Sequence, residues 1–311
     1  MSALLSVVLP IFGIIALGFF AVKIRVLDDG AVRGLVLYVF NFAIPILLFR
    51  SLALTVLPPD IRWSFLISYF GGSLVVFFTA MRLGRHLFHR TLDEQAIFGM
   101  GAGFSNTVLM GLPILLTAFG PEANLPIFLI IAFHGPILMP LVSGLILVGR
   151  GEASLGQQFR VVALELVRNP IIVGLAMGLA TNLGGFSIPA SMDRLAEMVG
   201  GSAVPCALFA LGASLAAYPL TGDVRPAVVL TVLKLLVHPA LVWILAVPVF
   251  GCEGIWVPVA VTMAAMPSGI NVYLFGARYE AAPGVAARTV FLSTVFSLGT
   301  ISVLLYWFQT T

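Results

Sequence analysis

Residues 95–118 read QAIFGMGAGFSNTVLMGLPILLTA, 24 residues without a charge. About 20 apolar residues suffice to cross the hydrocarbon core of a bilayer as a helix, so the stretch reads as a membrane span. It is a poor helix, however, because it contains Gly101, Gly103, Asn106, Gly111 and Pro113. Proline removes a backbone donor and clashes with the preceding turn. The carbonyl it frees needs a partner, since a bare polar group in hydrocarbon is costly. Asn106 offers one acceptor and a two-proton donor for that purpose. The stretch therefore predicts an interrupted helix in mid-membrane.

The rest of the chain fits that setting. Of 311 residues, 60% are hydrophobic and 9% charged, and the mean hydropathy is +1.11. A typical soluble chain carries about 25% charged residues, and so few charges could not cover a soluble surface of this size. The expected fold is an all-α, polytopic membrane protein with ten transmembrane helices, near 3–21, 31–52, 61–81, 95–118, 123–149, 170–188, 199–218, 226–249, 255–276 and 287–308. The apolar runs are continuous rather than alternating, and too long for barrel strands. The first run, MSALLSVVLPIFGIIALGFFA, lacks a basic n-region and reads as a retained helix rather than a signal peptide. Pro136 and Pro140 predict a bend in the fifth run.

Charge sets the orientation. Lys23, Arg25, Arg33, Arg82, Arg85, Arg90, Arg150, Arg160, Arg168, Arg225, Arg278 and Arg288 fall in the loops that follow odd-numbered spans. The opposite side holds Arg50, Arg62 and Arg194. By the positive-inside rule the first set is cytoplasmic. Both termini are then expected outside the cytoplasm, in an inner-membrane protein. Residues 152–168, EASLGQQFRVVALELVR, mix apolar residues with Gln157, Gln158, Arg160 and Glu165, and read as an interfacial helix.

A shift of 160 residues aligns Pro10-Ile11 with Pro170-Ile171, Gly18 with Gly178, Pro45 with Pro205 and Leu48-Phe49 with Leu208-Phe209. It also lays the interrupted fourth span on the ninth, which carries Pro267, Ser268, Gly269 and Asn271. The chain thus divides into a five-helix repeat at 1–150, a cytoplasmic linker at 151–169 and a second repeat at 170–311. Five is odd, so the second repeat enters from the opposite side. Inverted repeats with broken helices at the midplane are a recurrent transporter architecture.

Two broken helices at mid-membrane would present helix N-termini, which favour anions. The expected substrate site is Asn106, Thr107, Gly111 and Pro113 with Pro267, Ser268 and Asn271. Ser105 is a lesser candidate. Gly111 and Gly269 also serve close backbone approach. Lys234 lies deep in the eighth span, in TVLKLLVHPA. It is expected either to neutralise an acidic substrate or to tether a carbonyl of a broken helix, and the residues do not separate the two. His238, one turn on, and His134, before Gly135-Pro136, are candidates for proton handling. No Asp or Glu falls in an expected span, which argues against a carboxylate proton relay.

Several function classes drop out. No G-x-S-x-G, H-E-x-x-H or P-loop pattern occurs, and no His, Cys or Asp cluster has metal-ligand spacing. No cofactor, metal or catalytic residue is expected, and the chain is read as no enzyme. Cys206 and Cys252 read as small hydrophobes. Basic clusters interleaved with aromatics are lacking, so no nucleic acid is expected. The partners are a small organic anion and the lipid bilayer. Coupling to a proton, sodium or the membrane potential stays open, and the apolar surface is compatible with a homodimer. Two rivals are kept: a solute-binding membrane receptor without transport, and an intramembrane enzyme using His134 or His238 as base.

The motifs LPIFGIIALGFF (9–20), FNFAIPILLF (40–49), FSNTVLMGLPI (104–114), VRNPIIVGLAMGL (167–179), VPCALFALGASL (204–215), KLLVHPAL (234–241) and AAMPSGINVYLFGARY (264–279) resemble, in order and spacing, the auxin efflux carrier family of permeases. The short central loop is similar to that of its bacterial members. The resemblance implies kinship with the bile acid/sodium symporters, a fold of inverted five-helix repeats, and broken fourth and ninth helices that cross beside the substrate, here around Asn106 to Pro113 and Pro267 to Asn271. It further implies a secondary carrier for malonate, malate, an auxin-like acid or a similar carboxylate, working by alternating access.

Overall fold

The computed structural model describes residues 2–57, 61–151, 168–218 and 221–310. The expected interfacial helix at 152–168 lies, but for Arg168, outside the described residues. Among the described residues there is no strand, and one antiparallel β-bridge joins Ser105 to Ser268. The helices are α1 (Ser2–Lys23), α2 (Asp29–Tyr38), α3 (Ile44–Leu54), α4 (Trp63–Phe88), α5 (Leu92–Gly103), α6 (Leu112–Phe119), α7 (Asn124–Gly149), α8 (Pro170–Leu183), α9 (Ala190–Gly201), α10 (Ala203–Leu215), α11 (Arg225–Val232), α12 (His238–Ile244), α13 (Trp256–Ala265), α14 (Asn271–Arg278) and α15 (Pro283–Thr310).

Local chemistry accounts for many of their ends. Asp28 caps α2 by accepting from Ala31 N–H at 2.7 Å, and Asn169 caps α8 by accepting from Ile171 N–H at 3.0 Å. Thr91 and Glu94 form a reciprocal capping box on α5. α4 stops where His89 turns left-handed at φ 50°. Arg288, counted above as a loop residue, lies instead in the second turn of α15, is buried, and donates to the Thr221 carbonyl.

Proline does something more particular. One π-turn, Leu245–Val249, contains its proline, Pro248; three others occupy Val39–Ala43, Thr107–Gly111 and Leu233–Val237. Each of these three ends two residues before a proline, respectively Pro45, Pro113 and Pro239. Widening the turn accommodates the proline ring and its missing N–H without breaking the rod. Pro113 therefore does not open the fourth apolar run. It sits in the first turn of α6, where proline is tolerated, and the interruption lies upstream at Phe104–Asn106. α7 runs through Pro136 and Pro140 as one helix.

Among the described residues, six helical stretches are long and apolar enough to cross a membrane: Asp29–Leu54, Trp63–Phe88, Thr107–Gly149, Ala190–Leu215, Arg225–Val249 and Pro283–Thr310. Leu9–Lys23, Pro170–Leu183 and Trp256–Ala265 are shorter apolar helices.

The chain folds as two compact units. The first comprises Met1–Ile61, Val108–Ala132 and Val161–Ala217, the second Arg62–Thr107, Phe133–Arg160 and Tyr218–Thr311. In the first unit α1 packs on α10 and α3 on α8. These approaches are backbone-close. A Cβ on Gly18 would overlap the Phe209 carbonyl, one on Gly212 the Ile15 carbonyl, and one on Gly178 would lie 2.6 Å from Phe49 O. Small residues at such crossings are how membrane helices gain packing energy without a hydrophobic drive. The first unit is further tied by Arg50, which pairs through Nε and Nη2 with Asp193 at 2.7 and 3.1 Å. Asn182 Nδ2 donates to the carbonyls of Leu52, Ala53 and Thr55 at the end of α3.

The close crossing makes a test. Gly212→Ala should destabilise by about 1–3 kcal/mol, the usual range for overpacking. Gly13→Ala, where an added Cβ meets nothing within 4 Å, should be neutral or stabilising by up to roughly 1 kcal/mol. Thermal unfolding of the two variants in detergent checks the contrast.

Candidate functional site

The second unit is built around two gaps in its helices. α5 ends at Gly103 and α13 at Ala265. The chain then runs extended, with Phe104 at φ −93°, ψ 104° and Met266 at φ −59°, ψ 147°. The two extended pieces pair with each other. Asn106 N–H donates to Pro267 O at 2.8 Å, and Gly269 N–H to Phe104 O at 3.0 Å. Backbone groups that the helices no longer satisfy find partners across the gap, as a low-dielectric interior requires. Gly269 permits the approach, since a Cβ there would lie 2.8 Å from the Phe104 ring. Ser268 closes the junction further. Its N–H donates to Ser293 Oγ at 3.1 Å, and its hydroxyl to the Gly101 carbonyl at 2.5 Å.

Lys234 joins the two gaps. Its side chain is fully buried, and Nζ donates to Ser105 Oγ at 2.9 Å and to Ala264 O at 2.5 Å. Its third neighbour is His238 Nδ1 at 3.0 Å. Between the two roles the sequence left open, the tether to a broken-helix carbonyl is present. A lysine nitrogen can make three hydrogen bonds, as an ammonium with three donors or as an amine with two donors and a lone pair, and three partners surround this one.

The contacts continue into a closed ring. His238 Nε2 lies 2.9 Å from Ser73 Oγ, which donates to Tyr69 O at 2.8 Å. Tyr69 Oη lies 3.3 Å from His134 Nδ1. His134 Nε2 accepts from Ser105 N–H at 3.1 Å, and Ser105 Oγ returns to Lys234. An imidazole nitrogen that accepts is unprotonated, so His134 carries its proton on Nδ1 and donates it to Tyr69. The His134 ring also packs on Phe104, with centroids 4.4 Å apart. Tyr69, Ser73, Ser105, His134, Lys234 and His238 are all buried, and no Asp or Glu among the described residues is. No group of three His, Cys, Asp or Glu side chains among them could hold a metal.

The model of a family described as membrane transport protein matches residues 3–305. The chain belongs to that family. A protein of Rhizobium meliloti named "Putative malonate transporter" is 30% identical over 98% of this chain and 96% of its own. An uncharacterized transporter of Methanocaldococcus jannaschii is 22% identical over 94% and 95%. Auxin efflux carrier component 3a of Oryza sativa is 28% identical over 43% of this chain and 22% of its own length. The chain is accordingly a multi-pass membrane transporter of the auxin efflux and malonate transporter family.

The transporter's structure brings most of the expected site residues into one place. Asn106, Thr107, Pro267, Ser268, Lys234, His134 and His238 are buried in the second unit, and Asn271 opens α14 half-exposed. Gly111 and Pro113 are buried in the first unit. Sequence reasoning passed over Tyr69, Ser73 and Ser293. A signal for the first two existed: Tyr69 and Ser73 stand four apart, on one helix face, in SYFGGS (68–73). Ser293 carries none, being one hydroxyl among several on α15.

Lys234→Met would keep an unbranched side chain, one atom shorter, and delete the three hydrogen bonds of Nζ. Stranding Ser105 Oγ and Ala264 O in the interior should cost about 2–6 kcal/mol, at roughly 1–3 kcal/mol for each of the two buried groups. Ser73→Ala, which strands less, should cost about 1 kcal/mol. Thermal unfolding in detergent reads both.

Proposed function

We propose that the protein is a secondary carrier that moves a small organic anion, a malonate-like carboxylate, across the bacterial inner membrane. The observation that carries the reading is the charge of the site. A fully buried lysine sits between two paired helix gaps, with no buried carboxylate among the described residues. Such an interior favours an anion over a cation. Asn106 and Thr107 at one gap and Asn271 beside the other are the proposed substrate contacts. Pro267 and Ser268 shape the gap, and Gly111 and Pro113 shape the start of the helix that follows Asn106. Lys234 acts on the substrate through its charge, because its donors are engaged within the protein.

In this reading the chain crosses the membrane ten times, as inverted repeats at 1–150 and 170–311 joined by a linker at 151–169, and works by alternating access with both termini in the periplasm. The repeat is supported by a reciprocity in the packing. Gly18 meets Phe209, and Gly178 meets Phe49. A shift of 160 residues carries Gly18 onto Gly178 and Phe49 onto Phe209, so the two contacts are one contact made twice. The malonate-like substrate class is supported by the printed name of the Rhizobium relative.

Labelled malonate should enter proteoliposomes down its gradient, saturably and in competition with malate. Asn106→Ala and Asn271→Ala should each slow uptake roughly 10- to 100-fold, the equivalent of losing one hydrogen bond to a charged group, while folded yield is retained. Equal loss of yield and transport would make the asparagines structural. Binding of an anion without flux of any anion would place the protein among solute sensors instead.

A further inference from the structure

The geometry points to Lys234 and His238 as a proton-carrying pair loaded by the anion, so that the carrier takes up one proton with each substrate. The inference rests on the anion-carrier reading above and deepens it by naming the coupling.

Among the described residues, no buried carboxylate balances Lys234. Helix α4 presents Tyr69 and Ser73 to the cluster, α7 presents His134, and the Lys234 segment adds His238. α13 presents the Ala264 carbonyl and contains no titratable side chain. On α5 the carboxylates Asp93 and Glu94 lie in the first turn, at the end away from Ser105. On α15 the guanidinium of Arg288 donates to the Thr221 carbonyl. None of these groups is an anion facing Lys234. An ammonium held in a low-dielectric interior is costly without one. A carboxylate arriving beside Asn106, the neighbour of the Ser105 that Lys234 grips, supplies it. Binding of the anion and protonation of the pair then favour each other, by reciprocal linkage.

The hydrogen bonds around Lys234 serve both protonation states with every heavy atom in place. In the unloaded state Lys234 is an amine. It donates to Ser105 Oγ and Ala264 O, and its lone pair accepts from His238 Nδ1–H. Ser73 then turns its hydroxyl to His238 Nε2. In the loaded state Lys234 is an ammonium donating to Ser105, Ala264 and His238 Nδ1, while His238 Nε2–H donates to Ser73 Oγ and the Ser73 hydroxyl turns to Tyr69 O. All of these contacts lie between 2.5 and 3.0 Å. The change is a relay in which one proton enters at His238 Nε2 and the Nδ1 proton passes to Nζ. One proton is gained, the imidazole stays neutral with its tautomer reversed, and no group is oxidised or reduced. A monoanion crosses without net charge; a dianion crosses carrying one negative charge.

Two measurements on the full chain test this. Malonate titration by calorimetry in buffers of different ionisation enthalpy should report about one proton taken up per malonate bound at neutral pH. Lys234→Arg, which keeps a permanent charge at the tether, should bind malonate with proton uptake near zero. In proteoliposomes an inward proton gradient should accelerate malonate entry by wild type, and have no effect on His238→Gln, whose amide cannot relay. The His238 variant also covers the case in which Lys234→Arg does not fold. Malonate bound by wild type without proton uptake overturns the coupling and leaves the carrier reading intact. Proton uptake that persists in Lys234→Arg, or gradient acceleration that persists in His238→Gln, overturns the assignment to this pair. If neither malonate nor malate binds, the carrier reading falls and the coupling falls with it.

Discussion

Backbone N–H and C=O groups must be satisfied even where a helix stops, and inside a membrane protein water is not there to do it. The second unit answers this at one place. Phe104–Asn106 and Pro267–Gly269 lie antiparallel and exchange hydrogen bonds at 2.8 and 3.0 Å. Everything nearby supports that exchange. Ser268 holds the last turn of α5 through Gly101 O, and Ser293 holds Ser268. Lys234 holds Ser105 on one side and Ala264 on the other.

A lysine used in this way has two consequences. It makes the pairing depend on a side chain that reaches both gaps from a third helical stretch, so the gaps cannot part without breaking buried hydrogen bonds. It also places a titratable cation where no acidic side chain answers it. Neighbouring hydroxyls and imidazoles accept or donate as needed, which makes the ring tolerant of either protonation state. A transporter gains from a site that is tight in geometry and adjustable in charge.

The first unit shows a different economy. Its contacts are glycine against backbone, as at Gly18 with Phe209 and Gly178 with Phe49, and its polar ties include Arg50 with Asp193, Tyr38 with Ser202, and Asn182 across three carbonyls. Glycine crossings specify where helices meet and carry no charge. The polar chemistry of the chain gathers in the second unit instead.

Sequence alone determined the helical class, because composition and long uncharged runs leave no other way to satisfy the backbone in lipid. It also marked the two interrupted runs, since Asn106, Pro267 and Asn271 are poor residues for a continuous apolar helix. It misplaced the first interruption: Pro113 looks like a breaker, yet the π-turn before it carries the helix past the proline, and that turn is not visible in residue types. It left Lys234 undecided between substrate and tether, because one residue number says nothing about which carbonyl lies 2.5 Å away. Tyr69, Ser73 and Ser293 entered the site only through the tertiary structure. Their partners stand from 25 to 165 residues distant in the chain, and folding alone brings such groups within hydrogen-bonding reach.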